Sequence, residues 1–160
     1  MRVEHINPFI VALTEAFKAK LGITPHKKNI GIKNGYTATH DITAVIGLSG
    51  NAFGSFALSF PKEASLRIVA KMMGEEGVPD EALAEGIGQL AAGIAESAKT
   101  ALESGGIKTY LSIPKVILGR SHYICRLKDV PCVEIEFESE FGNFTLEVSL
   151  KVPQEAGTPG

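Results

Sequence analysis

The chain has 160 residues, which is enough for one domain with its own hydrophobic core. Hydrophobic residues make up 44% of the chain, and the formal net charge is −2, from 16 Lys and Arg against 18 Asp and Glu. This balance lacks the basic field that nucleic-acid binding requires, and aromatic residues for base stacking are only 7%, so we expect no nucleic-acid partner.

No part of the chain is typical of a membrane segment or a secretory signal. Residues 1–22 are rich in apolar residues, but Glu4 and Glu15 interrupt them, so the apolar core of a signal peptide is missing. No stretch approaches the ~20 apolar residues of a membrane-spanning helix, so we expect no membrane partner. The two cysteines, Cys125 and Cys132, are too few for a disulfide framework. We therefore expect a cytoplasmic protein in which both cysteines are small buried side chains.

The first predicted element is an amphipathic helix over residues 6–21. Its apolar residues recur at intervals of three and four, which places them on one face. Asn7 is predicted to cap its N-terminus, with Pro8 in the first helical position, where a missing N–H is tolerated. Gly22 follows the last apolar residue and is predicted to end the helix.

Three strands and a short helix follow. The strands are predicted from β-branched or alternating residues over 29–34, 40–50 and 52–60. Small turn residues between the last two strands predict a hairpin. Pro61 ends the third strand, and the apolar spacing predicts a helix over residues 62–74. Its inward-facing residues are predicted to be Leu66, Val69, Ala70 and Met73.

A long helix is predicted over residues 80–104, with Asp80 as its N-cap and Gly105 and Gly106 after its end. Its core-facing residues recur along one side: Leu83, Ile87, Leu90, Ile94, Ala98 and Ala101. The helix also contains three glycines, Gly86, Gly88 and Gly93. Each glycine costs about 1 kcal/mol against alanine in a helix interior. We expect the glycines to let a neighbouring helix or strand approach closely, rather than to take part in catalysis.

The side of the long helix opposite the core carries a second row of residues. The row consists of Glu85, Gln89, Ala92, Glu96, Lys99 and Glu103. Its spacing is that of an ordinary solvated face, on which Glu96 and Lys99 are surface neighbours. Gln89 and Ala92, however, interrupt what would otherwise be a charged row. The residues alone leave open whether this row is only solvated or also contacts a partner.

The rest of the chain is predicted to form strands in TYLSIPKVILG, SHYICRL and VEIEFESE, and EFGNFTLEVSLKV closes the domain. Pro114 in the first of them implies a sheet edge or a bulge. The last two alternate strictly, which predicts one buried apolar face and one wet face. The order of elements predicts an α+β fold, with an antiparallel-rich sheet covered by helices and one long surface helix. We expect one domain over residues 1–152 and a disordered tail over residues 153–160.

Three stretches carry a resemblance to a known family: INPFIVALTEAF near the start, IGQLAAGIAESAKTAL in the long helix, and VEIEFESEFGNFTLEVSLKV at the end. Together they resemble the CheX family of the CheC/CheX/FliY phosphatases of bacterial chemotaxis, over nearly the whole chain. In that family the long helix presents an acidic residue and, three positions later, an asparagine to a phosphorylated response regulator. The asparagine positions the water that attacks the aspartyl phosphate, and the acid pairs with a lysine of the regulator.

The resemblance places Gln89 on the family's acidic position and Ala92 on its asparagine position. Because Ala92 cannot orient a water and Gln89 cannot form the ion pair, it implies a protein that binds a receiver domain with its phosphatase activity lost or altered. The contact residues implied are Glu85, Gln89, Ala92, Glu96 and Lys99. No cofactor of its own is implied, since the regulator supplies the Mg. Family members also tend to form homodimers by sheet extension, and the strands around Pro114 offer an edge for this.

Two alternatives stay open, and with them the question whether the chain is an enzyme. Glu85 and Gln89, an acid followed four residues later by a carboxamide, resemble the arrangement in the unrelated chemotaxis phosphatase CheZ and could form a catalytic pair. The other alternative is a homodimeric binding or structural module without contact to response regulators. A metal site is not expected, because the histidines at 5, 26, 40 and 122 share no ligand spacing with each other or with the cysteines.

Overall fold

The computed structural model describes residues 3–33, 37–38, 40–74, 76–119, 123–124 and 130–153. Within these residues the helices are α1 (Val3–Leu21), α2 (Lys62–Met73) and α3 (Asp80–Ser104). The strands are β1 (His26–Lys33), β2 (Thr37–Ala38), β3 (Ile42–Gly50), β4 (Phe53–Phe60), β5 (Thr109–Leu111), β6 (Lys115–Leu118), β7 (Tyr123–Ile124), β8 (Cys132–Glu138) and β9 (Phe144–Lys151). Cys125, most of the predicted SHYICRL strand and the tail beyond residue 153 lie outside the described residues.

Seven of the described strands form one antiparallel sheet in the order β1-β8-β9-β4-β3-β5, with β6 also paired to β3. The short strands β2 and β7 pair with each other. The predicted hairpin is formed by β3 and β4, in which Ile42 lies opposite Phe60. The predicted TYLSIPKVILG strand is instead two strands, β5 and β6, because Pro114 lacks the N–H that a continuous ladder needs. The α+β prediction is confirmed.

An aromatic cluster fixes α1 to the apolar face of the sheet. The Phe9 ring stacks on Phe56 of β4 with 5.7 Å between centroids, and the Phe17 ring stacks on Phe144 of β9 at 4.9 Å. Phe137 of β8 stacks on Phe144 at 5.3 Å. Each such pair contributes about 0.5–1.5 kcal/mol beyond its buried area. The apolar face predicted for β8 and β9 is therefore confirmed as buried, and α1 lies at a fixed place beside α3.

The opposite face of β9 was predicted to be wet, and this is wrong at two positions. Glu147 is 6% exposed and Ser149 is 4% exposed. The alternation of residues showed which face is more polar, but β9 lies inside the sheet between β8 and β4, where neighbouring strands restrict access to water. Polar groups on this side also bond to one another, as Thr43 Oγ1 and Ser59 Oγ do at 2.9 Å.

The start of α1 differs from the prediction. The helix begins at Val3, so Asn7 is not its cap and Pro8 lies inside it. Ile6 and Phe9 are both buried in the core, and their packing carries the helix past the proline although one backbone hydrogen bond is absent there. The predicted end is confirmed, because Gly22 has a left-handed φ of 68° and its N–H donates to the Lys18 carbonyl at 3.1 Å.

The boundaries of α2 and α3 were predicted well, but some of their details were not. In α2 the buried residues are Ala64, Ser65, Ile68 and Val69, so of the four predicted inward-facing residues only Val69 is buried. Met73 is 44% exposed, because the helix is turned to bring Ile68 into the core. In α3 the cap position is Pro79 rather than Asp80, and no side chain caps the helix. Ala101 is exposed, unlike the rest of the predicted core row.

Candidate binding face on the long helix

Two of the glycines in α3 let neighbouring elements approach its backbone. A Cβ on Gly86 would lie 2.8 and 2.9 Å from the two γ-methyl carbons of Val69 in α2. A Cβ on Gly88 would lie 3.3 Å from a methyl carbon of Val116 in β6. The prediction that these glycines permit close packing is confirmed. The contact between bare backbone and apolar side chains offsets the helix propensity that glycine loses.

Gly93 has a different neighbour. A Cβ at this position would lie 3.4 Å from Lys20 Nζ, at the C-terminal end of α1. The ammonium of an exposed lysine therefore lies against the side of α3, one residue beyond Ala92. Sequence reasoning missed Lys20, because its place in α1 gives no sign of which helix lies beside it.

The core contacts of α3 turn the row of polar residues away from the sheet. We call Glu85, Gln89, Ala92, Glu96 and Lys99 the binding face. Glu85, Gln89 and Glu96 are exposed, whereas Ala92 and Lys99 are half-buried. Gln89 Nε2 donates to Glu85 Oε1 across one helical turn at 3.5 Å, which is a long contact. Both side chains are therefore accessible and can rotate towards an incoming molecule.

The chemistry available on the binding face is limited. At its centre Ala92 offers only a methyl group, which can pack against a partner but cannot hold a water. Gln89 offers an amide that can donate and accept hydrogen bonds, and Glu85 offers a carboxylate. These groups suit recognition of a polar surface. A nucleophile with its own activating base is not among the residues of this face.

The described residues show no metal centre beside this face. No group of three His, Cys, Asp or Glu side chains among them is arranged to hold a metal ion. His40 Nε2 lies 3.2 Å from Thr145 Oγ1, on the far side of the sheet from Glu85. Cys132 is buried, as predicted, while His122 and Cys125 lie outside the described residues.

Comparison with known proteins identifies the family of this chain. The family model described as "Chemotaxis phosphatase CheX" matches residues 42–138. The chain belongs to the CheX family. A curated relative, the CheY-P phosphatase CheX of Thermotoga maritima, is 30% identical over 153 residues, which covers 94% of this chain and 98% of the relative.

Solved structures with this fold agree with the CheX assignment. A CheC-like superfamily protein from Shewanella sp. PV-4 superposes with a TM-score of 0.86 at 26% identity, covering 94% of this chain and 99% of the other. The CheX chain in a CheX–CheY–BeF3–Mg complex from Borrelia burgdorferi has the same fold, with a TM-score of 0.77 at 20% identity, covering 94% of this chain and 99% of that one.

This CheX-family chain also has a groove between two of its helices. The groove lies between α1 and α3, has a volume of about 440 Å³, and is lined by Val11, Ala12 and Ala101 with Glu4 and Glu15 among its polar residues. The groove was not predicted from the sequence, because Ala101 was assigned to the buried row of α3. None of the helices in the described residues combines the length and apolar character that crossing a membrane requires.

Proposed function

We propose that this chain binds the receiver domain of a response regulator through the binding face of α3, and that the phosphatase activity of its family is lost or altered. The observation that carries the proposal is the exposure of Glu85 and Gln89 on a long helix of a CheX-family fold. The Borrelia burgdorferi relative supports the choice of partner, since it was solved in complex with CheY.

The loss of activity follows from two side chains. Gln89 stands on the family's acidic position and Ala92 on its asparagine position. A neutral amide cannot pair with a lysine of the regulator as a carboxylate does, and a methyl group cannot orient the attacking water. Phosphoryl transfer depends on positioning and electrostatics, so the absence of both groups removes most of what the phosphatase contributes.

The remaining requirements belong to the partner. In this proposal Mg and the aspartyl phosphate are carried by the regulator, which the BeF3 and Mg in the Borrelia burgdorferi complex support. The chain acts in the cytoplasm, where receiver domains are found, as a single domain over residues 1–152. Its contribution is to recognise the receiver surface.

The direct test of the proposal is a binding titration. Receiver domains of the same organism are titrated against the purified chain, with and without beryllofluoride as a mimic of the phosphoryl group. Saturable binding of at least one receiver supports the proposed function. Failure of every receiver to bind favours the alternative of a structural or binding module without contact to regulators.

One arrangement favours a surviving activity as a second candidate. Gln89 and Glu85 lie side by side with Nε2 and Oε1 3.5 Å apart, so an acid and a carboxamide are already neighbours on the exposed face. In this case Glu85 pairs with the regulator lysine and Gln89 holds the water. The catalytic pair then lies one helical turn nearer the N-terminus of α3 than the family's pair at positions 89 and 92. Decay of a phosphorylated receiver is measured with wild type, Glu85→Ala and Gln89→Ala. Acceleration by wild type that either substitution removes supports this candidate, and no acceleration by any of the three rejects it.

We further propose a homodimer formed at the sheet edge around Pro114. Ile113, in the break between β5 and β6, is 87% exposed, so a large apolar side chain is available at this edge to pack against a second copy of the chain. Ile32, on strand β1 at the other sheet edge, is 76% exposed and provides a matched control. Sedimentation analysis should show that Ile113→Lys shifts the chain to monomer while Ile32→Lys does not. The reverse result would place the dimer at β1.

A further inference from the structure

The neighbour of Gly93 separates this glycine from the other two in α3. Gly86 and Gly88 face apolar methyl groups, whereas the described atom closest to a Cβ on Gly93 is the ammonium nitrogen of Lys20, at 3.4 Å. Glycine in this helix position carries a propensity cost and gains no apolar contact in return. Its effect is to leave room for a charged group beside the helix.

The packing of α1 determines where Lys20 lies. The helix runs antiparallel to α3, since its N-terminal residues Glu4 and Pro8 lie near Ala101 and Leu102. Phe17 and Leu21 on either side of Lys20 are buried, so the backbone that carries Lys20 is fixed in place.

No carboxylate of the described residues lies within 4.0 Å of the Lys20 ammonium. Among the described residues, this exposed ammonium therefore lies beside α3 without an ion-pair partner.

The ammonium lies next to the two uncharged residues of the binding face. Gly93 is one turn beyond Gln89, about 6 Å along the helix axis, and directly follows Ala92. A partner group that touches Gln89 or Ala92 is thus within reach of the flexible Lys20 side chain. An ammonium is a compact point charge with three donors, which suits the oxygens of a phosphoryl group.

We infer that Lys20, whose ammonium lies beside Gly93, is a specificity-determining residue that donates a hydrogen bond to the phosphoryl group of a phosphorylated receiver domain. The inference rests on the proposed function, because it uses the same face and the same partner. It gives a face with no acid at position 89 and no asparagine at position 92 a group that can tell a phosphorylated receiver from an unphosphorylated one. Lys20 takes no part in hydrolysis.

Lys20 also lies in the last turn of α1, where any cation interacts favourably with the helix dipole. Lys18 also lies in the last turn of α1 and is exposed, but the ammonium near Gly93 is that of Lys20. Lys18→Met therefore controls for net charge and for the dipole, while Lys20→Met removes in addition the ammonium beside the binding face.

The test compares receiver affinity with and without beryllofluoride for wild type, Lys20→Met and Lys18→Met. Wild type should bind the beryllofluoride form about tenfold tighter than the bare form, as one charge-assisted hydrogen bond provides. Lys20→Met should bind both forms equally, and Lys18→Met should keep the preference. The inference is overturned if Lys20→Met keeps the preference, if it weakens both forms equally, or if wild type binds both forms alike.

A second measurement decides the inference if no receiver binds, an outcome that rejects the proposed function. Inorganic phosphate is titrated into the isotope-labelled chain, and amide chemical shifts are followed by NMR. Saturable shifts centred on Gly93 support an anion-binding site at Lys20 if they are lost in Lys20→Met and kept in Lys18→Met. Absence of such shifts overturns it.

Discussion

The two γ-methyl carbons of Val69 lie 2.8 and 2.9 Å from the place where a Cβ on Gly86 would stand. This relationship joins α2 to α3 through bare backbone. Any side chain at position 86 must push α2 away, since Val69 is fully buried and cannot rotate into solvent. The α2–α3 packing thereby sets the rotation of α3 that turns Glu85 and Gln89 outward.

Alanine substitutions at Gly86 and Gly93 should have opposite effects on stability. Gly86→Ala should lower the free energy of unfolding by about 1–3 kcal/mol, as overpacking does. Gly93→Ala should raise it by about 0.5–1 kcal/mol, because helix propensity improves and the Lys20 ammonium can move aside. Urea denaturation measures both changes. Equal destabilisation by the two substitutions would contradict the different roles assigned to these glycines.

Asp41 caps α2 from outside the helix. Its Oδ2 accepts a hydrogen bond from the backbone N–H of Lys62 at 2.8 Å. Asp41→Ala should therefore lower the free energy of unfolding by about 1 kcal/mol, and Asp41→Asn should restore part of the loss. Asp80→Ala is the control, since Asp80 lies in the first turn of α3 where no side-chain cap exists, and its loss should be smaller. An Asp41→Ala variant as stable as wild type would show that this cap contributes nothing.

If the family's two catalytic groups are missing as proposed, installing them should create activity. The double variant Gln89→Glu with Ala92→Asn should accelerate the decay of a phosphorylated receiver, because position 89 is exposed and position 92 is accessible on the same face. Wild type should leave the decay rate unchanged, and each single variant should gain less than the double. Decay is followed by the loss of radiolabelled phosphate from the receiver. Acceleration by wild type equal to that of the double variant would show that the chemistry was never lost.

Local patterns predicted the elements better than they predicted neighbours. The bounds of α3, Asp80–Ser104, agree with the predicted range, because the apolar residues of this helix recur over many turns and two glycines follow them. The start of α1 was wrong because core packing around Phe9 outweighs the signal of Pro8. The exposure assigned to Glu147 was wrong because alternation does not reveal where a strand lies within its sheet.

The positions of the candidate residues on α3 were predictable in part. The spacing of residues 85, 89 and 92 on one side of a helix follows from its period. The exposure of Glu85 and Gln89 followed once the core row was recognised, whereas Ala92 is half-buried. The cation beside them was not predictable, because Lys20 belongs to another helix and reaches the site only through tertiary packing. The groove between α1 and α3 was missed for the same reason.

If the face containing residue 92 receives a receiver domain, an arginine at this position should block binding. Ala92→Arg places a long charged side chain at the centre of the face, with Asn29→Arg on the exposed strand β1 as the control for charge and fold. By calorimetry, Ala92→Arg should weaken receiver binding by about tenfold or more, while Asn29→Arg binds as wild type does. An Ala92→Arg variant that has wild-type circular dichroism and binds the receiver with unchanged affinity would contradict binding through this face.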